Sequence, residues 1–211
     1  MPKRIEHKEE AITGAEDSQH YGETHGKHGE LQYRALLKDV KALNLSGHYL
    51  EVGAGPGTLA TMIAEQNPSV SITAVDLSPD MVSVAKEHIK EKKLQDRIQF
   101  VVGDVTDAAV MEGLGKFDLV YSAFSLHHWK DPENSINNLW NAVRPNGVLY
   151  VYDLKRVWWL YFLPLNSGFI ESIRASYMPN EIGSFFQKLG INNHKITTLF
   201  PFFMQSVIAW K

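Results

Sequence analysis

Glu51-Val-Gly-Ala-Gly-Pro-Gly57 follows the short apolar run His48-Tyr-Leu50 and leads into Thr58-Leu-Ala-Thr-Met-Ile-Ala-Glu-Gln66, so a strand, a glycine turn and a helix meet in one stretch. Glycine in such a turn accepts positive φ and lets the backbone come within van der Waals distance of a ligand, which a Cβ would block. The stretch reads as a nucleoside-binding loop that opens a helix, with Gly53, Gly55 and Gly57 against the ligand. A strand-to-helix turn that uses glycine for geometry alone is the competing reading of these residues taken by themselves.

A dinucleotide fingerprint asks for G-x-G-x-x-G, with a pyrophosphate at the helix N-terminus. Here the last position of that pattern is Thr58, and the third glycine falls one residue early. The carboxylate of Glu51 would repel a pyrophosphate and attract an ammonium or sulfonium group. The loop therefore favours S-adenosylmethionine over NAD. Downstream, Val70-Ser-Ile-Thr-Ala-Val-Asp76 reads as a buried parallel strand ending in an acid, and Ile98-Gln-Phe-Val-Val-Gly-Asp104 as another. Carboxylates at strand ends suit ribose hydroxyls at Asp76 and an adenine amino group at Asp104. Taken alone, Asp104 reads equally well as a helix cap or a solvated strand end.

Strands and helices alternate through the middle of the chain. Helix Leu31 to Leu45 precedes strand His48–Val52; helix Thr58–Gln66, strand Val70–Asp76 and helix Pro79–Lys92, capped by Ser78, follow. Next come strand three to about Gly103, helix Asp107–Leu114, strand Phe117–Ser122, helix Pro132–Val143 and strand Gly147–Tyr152. This alternation predicts a parallel sheet with helices on both faces and ligands beyond the strands' carboxyl ends. Helix Pro179–Leu189 then precedes strands His194–Phe200 and Phe203–Trp210, whose short link forces an antiparallel hairpin. The expected architecture is α/β, a doubly wound, mostly parallel seven-stranded sheet with a carboxyl-terminal hairpin. Residues 31–211 form one domain with an insertion near 154–178, preceded by a lid or loose segment at 1–30, of which Met1 to about Ala15 reads as frayed.

Tyr49 to Gly57, Val75-Asp-Leu-Ser78 with Met81, Gly103-Asp-Val105 and Phe117 to Trp129 resemble the ordered motifs of class I S-adenosylmethionine-dependent methyltransferases, which have a Rossmann-like fold. The resemblance runs from about Leu43 to Trp210 and is nearest to the small-molecule branch (methyltransferase type 11/25-like) that includes quinone-pathway enzymes. It implies Glu51 near the methionine ammonium, Gly53, Ala54, Gly55 and Gly57 along methionine and ribose, and Asp76 on the ribose hydroxyls. Leu77 and Met81 would flank adenine, Gly103, Asp104 and Val105 would hold its edge, and Ser122 and Ala123 would sit by the methionine end. It also implies a helical lid at the amino end carrying Tyr21 over the cofactor.

Composition narrows the acceptor. A net charge of −3 gives no electrostatic reason to expect nucleic acid. With no cysteine, thiolate ligands and cysteine nucleophiles are excluded. Lys3 to Glu10 is too charged for a secretory leader, and the apolar run Val157 to Leu165 is too short to span a bilayer, so a cytoplasmic protein without a membrane span is expected.

His127 and His128, just past the fourth strand, are the candidate proton acceptors; His127 is expected to face the pocket as the base, while His128 reads as structural or as a substrate contact beside it. Packing of the loop under the cofactor is the alternative for the pair. His20, His25 and His28 match no metal-ligand spacing, so no metal is expected, the alternative being a site that these three form with His127. Trp158, Trp159 and Tyr161 would wall a hydrophobic or aromatic acceptor, with Lys155 and Arg156 at the rim for an anionic substituent. A cover helix or a homodimer contact explains the same aromatics equally well. The leading function is methyl transfer to a small molecule. The alternatives are a catalytically silent S-adenosylmethionine-binding regulatory module, and a methyltransferase acting on protein or RNA.

Overall fold

The computed structural model describes residues 3–6, 31–165 and 167–211. Seven strands, β1 (Gly47–Val52), β2 (Val70–Asp76), β3 (Ile98–Val102), β4 (Phe117–Ala123), β5 (Val143–Leu154), β6 (His194–Leu199) and β7 (Met204–Trp210), form one sheet. Their order is β3-β2-β1-β4-β5-β7-β6. The first five strands run parallel, while β7 pairs antiparallel with both β5 and β6. The sequence expectation of a mostly parallel sheet closed by an antiparallel hairpin holds.

Alternation along the strands sorts the two faces, because successive side chains point to opposite sides. Tyr49, Tyr121 and Tyr150 pack on one side with Leu36 of the helical residues 31–43 (α1), Leu59 and Ile63 of α2 (Thr58–Gln66), and Val82 and Ala85 of α3 (Pro79–Glu91). Leu50, Val120 and Leu149 pack on the other with Met111 of α4 (Ala108–Leu114), Ile136 and Leu139 of α5 (Pro132–Ala142), and Phe186 of α8 (Pro179–Lys188). Buried hydroxyls need partners, and these tyrosines have them: Tyr49 donates to Leu45 O at 2.7 Å and Tyr150 to Asp39 Oδ2 at 2.8 Å.

Local caps set the helix starts. Ser78 accepts from Met81 N, with Pro79 in the first turn of α3, and Asp107 and Asp131 cap α4 and α5 in the same way. Three features differ from the sequence reading. Strand β5 starts at Val143 rather than Gly147, pairing with Phe117 across a register shift. The insertion holds two helices, the single turn α6 (Trp158–Tyr161) and α7 (Gly168–Ala175), the latter capped by Ser167. Residues 3–6, expected to be frayed, are bonded to the body: Ile5 N donates to Arg174 O at 3.1 Å, and Tyr161 OH to Lys3 O at 2.9 Å. The remainder of the amino-terminal segment, with Tyr21, His20, His25 and His28, lies outside the described residues. Among the described residues no helix is long and apolar enough to cross a membrane.

Candidate active site

A cavity of about 1150 Å³ opens beyond the carboxyl ends of the parallel strands, where ligands bind in open α/β sheets. At one end it is lined by Gly53, Gly55, Asp76, Leu77, Met81 and Asp104, together with Gly103 and Val105. Gly53, Gly55 and Gly57 all have positive φ, at 69°, 52° and 76°. Their surroundings differ. A Cβ on Gly57 would come 2.6 Å from Phe100 Cζ, and one on Gly53 would collide with the Ser125 hydroxyl, whereas one on Gly55 would meet nothing within 4 Å. Gly55 thus faces the cavity, and Gly57 is a packing position that does not line it.

Asp76 ties the end of β2 to the loop. Its Oδ2 accepts Gly55 N–H at 2.7 Å and its Oδ1 accepts Ser78 N–H at 2.9 Å. Leu77 N–H is a third backbone donor, and since a carboxylate has room for about four donors, capacity for a hydroxyl group remains. Burial raises the Asp76 carboxyl above its ordinary value, and the backbone donors oppose that rise. Asp104 lines the cavity while its Oδ1 accepts both the N–H and the hydroxyl of Thr106.

Glu51, Ala54, Ser122 and Ala123 stand behind this wall rather than on it. Glu51 is 2% exposed and accepts the Tyr121 hydroxyl at 3.0 Å. Burial pushes its carboxyl up to about 8. Ser122 donates to Val52 O at 2.9 Å, joining β4 to β1.

His127 lies on the 3-10 turn Leu126–His128 after β4 and lines the cavity, as does His128, whose ring lies 4.2 Å from that of His127. The ring Nδ1 of His127 is 2.7 Å from Asp153 Oδ1, and its backbone N–H donates to Asp153 Oδ2 at 2.9 Å. Both side chains are buried. An acid opposite Nδ1 selects the tautomer with the proton there and leaves Nε2 as the basic nitrogen. The partnership brings an orienting carboxylate to the expected base. Sequence reading assigned Asp153 no role, although its place at the end of a buried strand matched that of Asp76 and Asp104.

Phe124, between β4 and this turn, adopts φ 54° and donates its N–H to Tyr152 O at 2.8 Å. A non-glycine residue held there costs about 1–3 kcal/mol, and the ring it presents lies 5.3 Å from that of Tyr152, both on the cavity wall. Phe169, Phe200, Phe203 and Met204 continue this apolar wall. The expected wall residues Trp158, Trp159 and Tyr161 are not part of it. They lie on α6, where Trp158 is 62% exposed, and the ring of Trp159 lies behind the wall, 6.2 Å from that of Phe203. The rim role of Arg156 is corrected. It is 2% exposed, with Nη1 donating to Ser176 O at 2.8 Å and Nη2 to Glu181 Oε1 at 2.7 Å, which fastens the insertion to α8. Lys155, half-buried, donates to Thr198 Oγ1 at 3.4 Å rather than reaching the cavity.

Residues 50–149 match the family model for a methyltransferase domain. Over 169 residues the chain is 24% identical to the demethylmenaquinone methyltransferase of Thermus thermophilus, covering 74% of this chain and 75% of that protein. It is 33% identical over 103 residues to an uncharacterized protein of Synechococcus, covering 49% of this chain and 24% of that protein. The fold superposes on an O-methyltransferase family protein from Burkholderia thailandensis with a TM-score of 0.76 at 15% identity, covering 92% of this chain and 59% of that one. The chain thus spans from a quarter to three quarters of the length of these relatives.

Proposed function

The chain belongs to the class I S-adenosylmethionine-dependent methyltransferases, and from that premise we propose that it carries a methyl group from S-adenosylmethionine to a small acceptor with a large apolar or aromatic part. One observation carries the reading: a single cavity runs from Gly55 and Asp76, past His127, to Phe124, Phe169 and Phe203. A polar, acid-bearing end suits the nucleoside, an apolar end suits the acceptor, and the imidazole lies on the wall they share.

Asp76 would accept a ribose hydroxyl, with Gly55 offering an open backbone face beside it. Leu77 and Met81 would pack on adenine, with Gly103, Asp104 and Val105 at its edge. When bound, S-adenosylmethionine would supply an activated methyl group, which the acceptor's nucleophile takes in line while the sulfur leaves as the thioether of S-adenosylhomocysteine. The protein's own task is then to position that nucleophile and to keep water out. The wall of Phe124, Tyr152, Phe169 and Phe203 does both. His127, its Nδ1–H held by Asp153, takes the proton from an acceptor hydroxyl or amine at Nε2, and the buried carboxylate stabilises the imidazolium so formed.

Calorimetric titration with S-adenosylmethionine and S-adenosylhomocysteine, with NAD as control, tests the cofactor half. Micromolar affinity, lost in Asp76→Ala and absent for NAD, is the expected result; preference for NAD would overturn it. A screen of phenolic, quinol and other apolar acceptors against polar amines and RNA, read as S-adenosylhomocysteine formed, tests the acceptor half. Turnover confined to the polar set would overturn that half alone.

A further inference from the structure

We propose that Arg4 is a positioning residue for His127, making residues 3–6 part of the support of the active site. The inference rests on the reading of His127 as the base. The Arg4 Nη2 donates to His127 O at 3.1 Å and its Nε to Ala175 O at 2.6 Å. The guanidinium lies over the Tyr177 ring, 4.3 Å from its centroid, and the side chain is only 15% exposed. One planar group therefore joins the turn that carries His127 to the end of α7. The fixed fork of a guanidinium is suited to bonding two carbonyls while stacking on an aromatic face, which a lysine ammonium cannot reproduce.

The turn needs such support. Leu126–His128 is one 3-10 turn, closed by His128 N–H to Ser125 O and Trp129 N–H to Leu126 O, and short 3-10 turns have poor hydrogen-bond geometry. Asp153 holds the N–H and the ring of His127 from one side, and Arg4 holds its C=O from the other. The neighbours of Arg4 are anchored as well. Lys3 O receives Tyr161 OH, and Ile5 N–H donates to Arg174 O. Arg174 in turn donates to Tyr161 O and Leu163 O. A displacement of α6 or α7 is thus passed through Arg4 to the His127 peptide. The device couples seating of the insertion against the cavity to alignment of the imidazole. The Arg4–Glu6 pair at 3.3 Å is largely exposed on the Glu6 side and adds little.

The test uses the whole chain with 15N-labelled histidine and reads the ring nitrogens of His127, with His48, His88 and His194 as distant controls. Parent, Arg4→Ala and Arg4→Lys are compared, free and with S-adenosylhomocysteine. Arg4→Ala is expected to shift or broaden the His127 ring signals while the controls stay in place. Arg4→Lys, able to bond one carbonyl at a time, should fall between. With an acceptor in hand, kcat should drop about tenfold or more in Arg4→Ala, with the cofactor Kd within about twofold. Unmoved His127 signals in Arg4→Ala would overturn the proposal. If that variant disturbs every histidine alike, Arg4→Lys decides: His127 moving alone supports the coupling, and no movement overturns it. Failure of S-adenosylhomocysteine to bind the parent would sink the methyltransferase reading instead, and the comparison in free protein would still judge Arg4.

Discussion

The carboxylate of Asp153 holds His127 twice, accepting its backbone N–H at 2.9 Å and standing 2.7 Å from its ring Nδ1. The same oxygen that faces the ring also accepts Leu154 N–H, at 2.7 Å. Asparagine keeps the shape but turns an NH2 group toward one of these donors, so either the backbone contact or the Nδ1–H tautomer is lost. Asp153→Asn should lower turnover by about 10²-fold or more and cost about 1–3 kcal/mol of stability for the unsatisfied buried donor. The measurement is S-adenosylhomocysteine formation with an acceptor from the screen. Unchanged turnover would show that His127 is not the proton acceptor.

Two glycines of one loop are expected to fail in opposite ways. Alanine at Gly57 must adopt φ near 76° and approach Phe100 Cζ at 2.6 Å and Ala85 Cβ at 3.3 Å. Gly57→Ala should therefore lose about 1–3 kcal/mol of stability, seen as a lower melting temperature, while the folded fraction still binds S-adenosylhomocysteine. At Gly55 the added methyl enters open cavity. Gly55→Ala should lose only about 1 kcal/mol of stability but about tenfold or more in cofactor affinity. The reverse pattern would place the ligand against Gly57.

The features legible in the sequence were local. Short apolar runs bounded by turn residues gave the strands, Ser78 and Pro79 gave the start of α3, and each motif acid lies at a strand's carboxyl end because an apolar run ending in Asp can hardly do otherwise in a parallel sheet. What escaped were contacts between residues far apart in the chain. Asp153 meets His127 and Arg4 meets His127 only through the fold, and neither spacing has a periodicity to betray it. The aromatic wall of the cavity was expected at Trp158, Trp159 and Tyr161 for a related reason. Aromatics at 158–162 and at 200–203 have the same composition, and only packing turns Phe203 toward the cavity and Trp158 toward solvent. Helix α7 went unread because its apolar stripe is short, and the early start of β5 because Arg144-Pro-Asn-Gly147 has the residues of a turn.

Phe203 links the cavity wall to both helices of the insertion, its ring lying 5.4 Å from Phe169 and 6.2 Å from Trp159. Phe203→Ala should raise the acceptor KM by about tenfold, the loss of roughly 1.5 kcal/mol of apolar contact, and leave the S-adenosylhomocysteine Kd unchanged. Trp158→Ala, outside the cavity, is the control and should alter neither. A change in cofactor affinity on losing Phe203 would mean that the apolar end does not belong to the acceptor.

Glu51 places an acid where burial opposes its ionisation. Burial pushes its carboxyl from 4.5 to about 8, Asp76 adds to the rise, and the Tyr121 hydroxyl and Ala60 N–H oppose it. Between these values the folded chain holds a proton that the unfolded chain gives up. The stability Glu51 contributes is thus fully present below about pH 4.5 and is lost as pH rises through about 8, at up to about 1.4 kcal/mol per pH unit. Glu51→Gln removes that dependence, so its melting temperature relative to the parent should climb from about pH 5 to about pH 9. A relative fall over the same range would mean that the carboxylate is ionised and stabilising. If Glu51 serves the ammonium of S-adenosylmethionine, binding near pH 7 will draw the proton off, because an opposite charge nearby favours the anion. The parent should then release a proton on binding, seen as an apparent enthalpy that varies with the ionisation enthalpy of the buffer, and Glu51→Gln should not. Equal behaviour of the two proteins would assign Glu51 to holding Tyr121 and the sheet rather than the ligand.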